Sequence, residues 1–137
     1  MASARMAVVG MMVLALTAGC GGSTPAPAPT DVAVYDASGG GPGGLAALLA
    51  GTLERVDGCV VVRGDGIDMA KDVEYVPVFP LGVHWDGDAL VVQGTKYRLG
   101  EHVQFGGGTL SEESASTLAA ELPVACAGRQ LWLISAQ

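Results

Sequence analysis

A mainly β domain with a single helix before its last strand is the fold predicted for residues 45–137 of this 137-residue chain. Short runs of Val, Leu, Tyr and Phe alternate there with glycine-containing turn pairs, which is typical of strands joined by tight turns. Only one stretch repeats its apolar residues at helical spacing, and a proline follows it. The residues before 45 predict an export signal and a linker.

The strands are predicted in short segments separated by turn signals. Asp57-Gly58 suits either a two-residue type I′ hairpin or a glycine bulge within one long strand. Pro77 lacks an N–H group, which predicts an edge or bulged position for its strand. Gly94-Thr95 marks a further turn. The predicted strands are 52–56, 59–63, 73–79, 89–93, 97–99, 102–105 and 131–135.

One helix is predicted between residues 111 and 122. Ser111 can accept a hydrogen bond as the N-cap, and the two glutamates after it suit the positive amino end of a helix. Pro123 ends the helix. Gly106-Gly107-Gly108 predicts a tight turn from strand to helix, because the two glutamates would repel the phosphate that a glycine-rich cradle binds. The apolar face of this helix consists of Ala115, Leu118, Ala119 and Leu122.

Two architectures satisfy this order of elements. It resembles a small Greek-key barrel of the OB type, which inserts a helix before its last strand or two. A plain antiparallel sheet with the helix packed on one face satisfies it equally. The sequence leaves the choice open.

Residues 1–20 have the layout of a secretory signal that ends on a cysteine. Arg5 and the amino terminus precede the uncharged apolar stretch 6–16, which is shorter than the ~18 residues of a membrane-spanning helix. Two small residues then lead to Cys20, and here the segment resembles the lipobox of bacterial lipoproteins, with Thr17 where leucine is usual. The resemblance implies a diacylglycerol on Cys20 and attachment to the extracytoplasmic face of the cell membrane. A freely secreted protein and an uncleaved anchor are the alternatives.

Residues 20–44 are predicted to form a flexible tether between the lipid and the domain. Alternating prolines favour an extended spacer of about 3.1 Å per residue, and the whole segment has the composition of a disordered stalk. The apolar segment 32–35 leaves the alternative that this part forms a strand or docks on the domain. The chain thus divides into a signal peptide at 1–19, a tether at 20–44 and a domain at 45–137.

The net charge is strongly negative, with 7 Lys and Arg against 14 Asp and Glu. Removal of residues 1–19 takes Arg5 with it and leaves 6 basic against 14 acidic residues, a charge of −8. Such a surface repels nucleic acid, whose affinity for proteins comes largely from Lys and Arg contacts with phosphate. It also repels anionic lipid. We therefore expect no nucleic-acid partner, and we expect the lipid to supply the attachment to the membrane.

Two cysteines remain once Cys20 carries lipid. Cys59 and Cys126 are an even pair in an oxidising compartment, each beside apolar strand sequence, which predicts a disulfide between them. The bond would close a loop of about 68 residues, which the chain-entropy model values at ~4 kcal/mol. The alternative is a reactive cysteine, which requires a neighbouring base or a Cys-x-x-Cys pair, and neither is evident.

The candidates for a metal site are His84, Asp86 and Asp88, with His102 as a further ligand. Two histidines so far apart lack a fixed ligand spacing, and the Asp-Gly pair between Val-rich segments predicts a hairpin turn instead. The acidic stretch 65–74 lacks the spacing of an EF-hand calcium loop. No Gly-x-Ser-x-Gly motif supplies a nucleophile. The sequence therefore predicts no cofactor and no catalytic residue.

The glycine and aromatic pattern of residues 51–108 resembles small exported bacterial proteins of uncharacterised function, which implies no activity. We therefore expect a non-enzymatic envelope lipoprotein whose β domain binds or supports an envelope protein or the cell wall. A small-ligand or metal-binding module is the first alternative, and a hydrolase is the second. The resemblance is carried by Gly51-Thr52-Leu53, Gly58-Cys59, Val78-Phe79-Pro80-Leu81-Gly82, Gly100 and Phe105-Gly106-Gly107-Gly108.

Overall fold

The computed structural model describes residues 21, 28–39 and 46–137. The predicted signal peptide, Cys20 and the rest of the predicted tether lie outside the described residues. Strands dominate the described part of the chain, with one short α-helix and one 3-10 turn. The elements are β1 (Ala33–Tyr35), β2 (Ala47–Val56), β3 (Cys59–Gly64), β4 (Glu74–Pro80), β5 (His84–Asp86), β6 (Ala89–Val92), β7 (Thr95–Arg98), β8 (His102–Leu110), α1 (Glu112–Thr117), the 3-10 turn Val124–Cys126 and β9 (Gln130–Ile134).

Five of these strands pair into a ring. β2 lies between β3 and β8, and β8 also pairs with β9, all antiparallel. β9 runs parallel to β4, which returns to β3 and completes the circuit. The ring is not evenly closed, since β2 and β3 are matched from Gly51 to Val56 but β3 meets β4 only at Val62 and Arg63. The predicted mainly β fold with a helix before the last strand is confirmed, and its five-stranded ring is of the partly open kind that OB folds have.

The interior of the ring is filled by alternate residues of its strands. On β3, Val60 and Val62 belong to the interior cluster while Cys59 and Val61 belong to an outer one, as the two-residue period of a strand requires. The separate three-stranded sheet β5–β6–β7 adds residues such as Leu90 to the interior cluster. The interior cluster thus includes residues of both sheets.

The segment Ala33–Tyr35 corrects the prediction of a flexible tether. It forms β1, which pairs in parallel with β4 from Ala33 opposite Val78 to Tyr35 opposite Pro80. Its three residues are at most 1% exposed. Composition favours disorder here, but the apolar side chains of this short strand are buried in both clusters of the domain. The alternative that this part docks on the domain is the one found, so the domain begins well before residue 45.

The helix is shorter than predicted and covers only Glu112–Thr117. Ser111 caps it as expected, accepting from the Ser114 N–H at 3.1 Å. The helix ends because Ala119 adopts a φ of 51° and the Ala120 N–H donates to the Ala115 carbonyl at 3.0 Å, the pattern of a Schellman motif. The residues from 119 to 122 therefore do not extend the helical face.

Two turn predictions have different outcomes. Asp57 and Gly58 have φ values of 50° and 84°, which is the type I′ hairpin rather than a bulge. Gly106-Gly107-Gly108 is not a turn, because it lies within β8. β9 approaches Gly107 so closely that a Cβ there would stand 1.7 Å from the Leu133 carbonyl oxygen.

Pro77, predicted at an edge or bulged position, lies in a strand that has neighbours on both sides. β4 pairs with β3 at Glu74 and Tyr75 and with β1 from Val78 onward, so Pro77 falls between these two partners. The missing N–H is tolerated because neither β3 nor β1 is paired with Pro77 at this junction. On the other side of β4, Pro77 lies opposite Trp132 of β9.

Candidate functional site

The predicted disulfide between Cys59 and Cys126 is confirmed. The two sulfurs are 2.04 Å apart, the Cα atoms are 5.2 Å apart, and both residues are at most 1% exposed. Cys59 is the first residue of β3, and Cys126 ends the 3-10 turn that follows α1. The bond therefore holds the connection between α1 and β9 against the outer side of the ring.

This connection covers part of the ring's outer surface. OB folds bind oligonucleotides and oligosaccharides on the face of their second and third strands, and β3 and β4 take those places here. On their outer side, Val61 and Val76 are completely buried in one cluster with Ala115 of α1 and Cys126 of the turn. The connection between α1 and β9 therefore covers this part of the outer face.

The three candidate metal ligands are each engaged by a neighbour. His84 Nδ1 lies 2.9 Å from the Gly82 carbonyl oxygen, and Asp88 pairs with Arg98 at 3.3 Å. Asp86 accepts from Lys96, and this hydrogen bond lowers the pKa of the Asp86 carboxyl. No three His, Cys, Asp or Glu side chains converge anywhere in ranges 28–39 and 46–137.

The other polar candidates are also dispersed. His102 does not join His84 but faces Asp65, with 3.3 Å between His102 Nε2 and Asp65 Oδ2. Asp65 accepts from the backbone of Ile67 at 2.8 Å, and this bond is the main reason why its carboxyl pKa is lowered. Glu74 pairs with Arg63 and Arg129. The acidic stretch 65–74 is thus used in a loop turn and in ion pairs.

Asp31 forms a polar cluster that the sequence did not predict. Its carboxylate accepts from Arg55 Nε at 2.8 Å and from the Trp85 indole at 2.9 Å. The Arg55 guanidinium also lies 4.6 Å from the centre of the Trp85 ring, a cation–π distance. In addition, the Asp31 carbonyl accepts from the Val60 N–H at 2.9 Å. These contacts fasten the segment before β1 to β2, β3 and β5.

An apolar groove lies beside this fastened segment. Its volume is about 320 Å³. Its only charged lining residue among those described is Glu121. At its rim Val124 is 93% exposed and Leu122 is 37% exposed. The apolar lining consists mainly of Ala28, Pro29, Val32, Val34, Leu122 and Val124.

The two walls of the groove are held together by backbone hydrogen bonds. The Val34 N–H donates to the Glu121 carbonyl at 3.0 Å, and the Glu121 N–H donates back to Val34 at 2.8 Å. The groove was not predicted from the sequence, because one of its walls has the composition of a flexible tether and the other was expected to be helical. The apolar run 32–35 was the only signal that pointed to it.

Comparison of the chain with protein-family models, with curated proteins and with solved structures found no match. None of the helices in the described residues is long and apolar enough to span a membrane.

Proposed function

We propose that this chain is an envelope lipoprotein, lipidated on Cys20 and held on the extracytoplasmic face of the cell membrane. Its β domain acts without catalysis and binds or supports another envelope component, a protein or the cell wall. The sequence of residues 1–20 is the basis for the anchor.

The structural observation that best supports this proposal is the Cys59–Cys126 disulfide. Disulfides form and persist in oxidising compartments and are rare in the cytosol. The bond also leaves Cys20 as the one remaining cysteine of the three.

A binding or supporting role, as opposed to catalysis, is supported by where the polar side chains lie. His84 and His102 belong to different sheets. Asp86 pairs with Lys96 and Asp88 with Arg98, and Asp65 contacts both His102 and the Ile67 backbone. A general base has to lie within hydrogen-bond reach of the group that it activates. The described part of the chain supports instead a rigid surface with an apolar groove.

Metabolic labelling with an alkyne fatty acid tests the anchor. The wild-type chain, expressed in a bacterium that processes lipoproteins, should be labelled and should sediment with membranes. Cys20→Ser should lose both properties. A Cys59→Ala, Cys126→Ala double variant is the matched control, since it removes the other two cysteines and should still be labelled. Labelling of Cys20→Ser would contradict the proposal.

Crosslinking in intact cells tests the binding role. The lipidated protein should form crosslinks to a defined envelope protein or to peptidoglycan, and Cys20→Ser should form far fewer, because loss of the anchor removes the protein from the membrane layer. Equal crosslinking by both forms would mean that the anchor does not position the domain for its partner.

A further inference from the structure

We propose that the rim of the apolar groove, formed by Ala28, Pro29, Leu122 and Val124, rests on the lipid surface of the membrane that holds Cys20. We call these four residues the root surface. This inference deepens the proposed function and depends on its lipid anchor.

The length of the tether is the first argument. Ala28 packs against the interior cluster and follows Cys20 by eight residues. Eight residues span at most ~29 Å when fully extended. A compact domain of this size has a radius of gyration of about 13 Å, which corresponds to a sphere about 34 Å across. The tether is shorter than the domain is wide, so Ala28 cannot lie at the pole opposite the membrane, and the root surface is within reach of the lipid.

The chemistry of the root surface is the second argument. Val124 is 93% exposed and Leu122 is 37% exposed, and both adjoin Ala28 and Pro29 across the groove. Glu121 is the only charged lining residue among those described, so the surface lacks the basic side chains that bind anionic headgroups. Such a surface suits the boundary between uncharged headgroups and acyl chains, where apolar side chains are stabilised by burial.

The rigidity of the root surface is the third argument. The disulfide at Cys126 and the paired hydrogen bonds between Val34 and Glu121 hold Leu122 and Val124 from both sides. A backbone that is already fixed loses little conformational entropy when its side chains are buried against lipid. The contact therefore fixes the orientation of the domain on the membrane, with the opposite end of the ring directed away from it.

Tryptophan placed at Val124 tests the contact in the full-length lipidated protein. The chain contains Trp85 and Trp132, and their emission in the wild type supplies the background. The Val124→Trp protein is reconstituted into phosphatidylcholine vesicles that carry bromine on their acyl chains. We expect the emission maximum of the added tryptophan to lie at shorter wavelength than that of a tryptophan exposed to water. We also expect the brominated lipid to quench this emission.

Ile67→Trp is the matched control. Ile67 is 86% exposed, so it tolerates the same substitution, and it follows the end of β3 opposite to Cys59. The length of β3 places it roughly 17–20 Å further along the ring than the Cys126 turn. We expect the emission added by Ile67→Trp to be neither shifted nor quenched.

Flotation of the same vesicles separates the two proposals. A protein that does not float with the vesicles would refute the anchor, and with it the lipid contact. Flotation with equal quenching of both variants, or with quenching of neither, would leave the anchor and overturn the root-surface contact. A blue shift of Val124→Trp that grows with protein density, without bromine quenching, would show that a second copy covers the surface, and would also overturn it.

Discussion

The hydroxyl of Tyr35 donates a hydrogen bond to the backbone carbonyl of Ile134 at 2.7 Å, although the two residues are 99 positions apart in the chain. Tyr35 ends β1 and Ile134 ends β9. The bond therefore links a segment with the composition of a linker to the last strand of the ring. Tyr35 is 1% exposed, and its burial raises the pKa of the phenol above its ordinary value of 10.0.

Tyr35→Phe should lower the free energy of unfolding by about 1 kcal/mol, because the Ile134 carbonyl loses its partner while the ring stays packed. Urea unfolding at neutral pH measures the change. Tyr97→Phe is the control, since Tyr97 is only partly buried and its substitution should have little effect. Equal stability of the wild type and Tyr35→Phe would contradict a stabilising role for this hydrogen bond.

The stability of the wild type should fall at alkaline pH. Because the pKa of Tyr35 is raised in the folded state, the unfolded phenol loses its proton first as the pH rises past about 10. The contribution of Tyr35 is therefore complete below that pH and is lost as the pH rises toward the folded pKa. The difference in stability between wild type and Tyr35→Phe should narrow over this range in urea unfolding, and a constant difference would contradict the prediction.

Removal of β1 should destabilise the domain strongly. A chain that starts at residue 45, the boundary predicted from sequence, lacks four residues that are at most 2% exposed, and three of them are Val32, Val34 and Tyr35. Full burial of one such side chain contributes about 1.5–3 kcal/mol, so we expect a loss of several kcal/mol relative to a chain that starts at residue 28. Thermal and urea unfolding of the two chains measure it. Similar midpoints would show that β1 is dispensable.

The disulfide should contribute a large part of the free energy of unfolding. Replacement of Cys59 and Cys126 by alanine removes a cross-link over 67 positions, for which a loss of about 4 kcal/mol is expected, with strain and residual structure reducing it. The free energy of unfolding, measured in guanidinium, should be the same for the double variant and for the reduced wild type. If the free energy of unfolding fell by less than about 1 kcal/mol in the double variant or in the reduced wild type, the 3-10 turn would be held by packing alone.

Gly107→Ala should destabilise the protein far more than Gly106→Ala. A Cβ on Gly107 would stand 1.7 Å from the Leu133 carbonyl oxygen, whereas a Cβ on Gly106 meets no atom within 4 Å. The first substitution forces β8 away from β9 and weakens that pairing, while the second adds a methyl group in open space. Thermal unfolding of the two variants provides the comparison. Equal midpoints would contradict the close approach of the strands.

Local chemistry was sufficient for several elements. Asp57-Gly58 forms the hairpin, one of the two structures predicted for it, because its backbone takes the positive φ values that this pair tolerates well. Ser111 caps the helix because a hydroxyl at that position can reach the next N–H groups. In each case the residues that determine the structure are neighbours in the chain, so their pattern is visible in the sequence.

The candidate site was less predictable, because its parts are distant in the chain. Asp31 meets Arg55 and Trp85 only after the ring has formed, and nothing in its own surroundings predicts these partners. The groove requires Val34 to face Glu121 across 87 positions. Sequence patterns indicate the local conformational preference of a segment. They do not indicate which distant segment will pair with the backbone N–H and carbonyl groups of an exposed strand edge.

By itself, the sequence determined the mainly β class, the short helix before the last strand and the Cys59–Cys126 pair. These follow from residue spacing, turn chemistry and an even number of cysteines in the domain. Only the tertiary structure decided that Ala33–Tyr35 is a strand, that the helix stops at Thr117 and that the glycines of 106–108 lie within β8. In each of these places burial and long-range backbone pairing outweigh the local preference, because a buried apolar side chain contributes more free energy than the conformational tendency of a few residues.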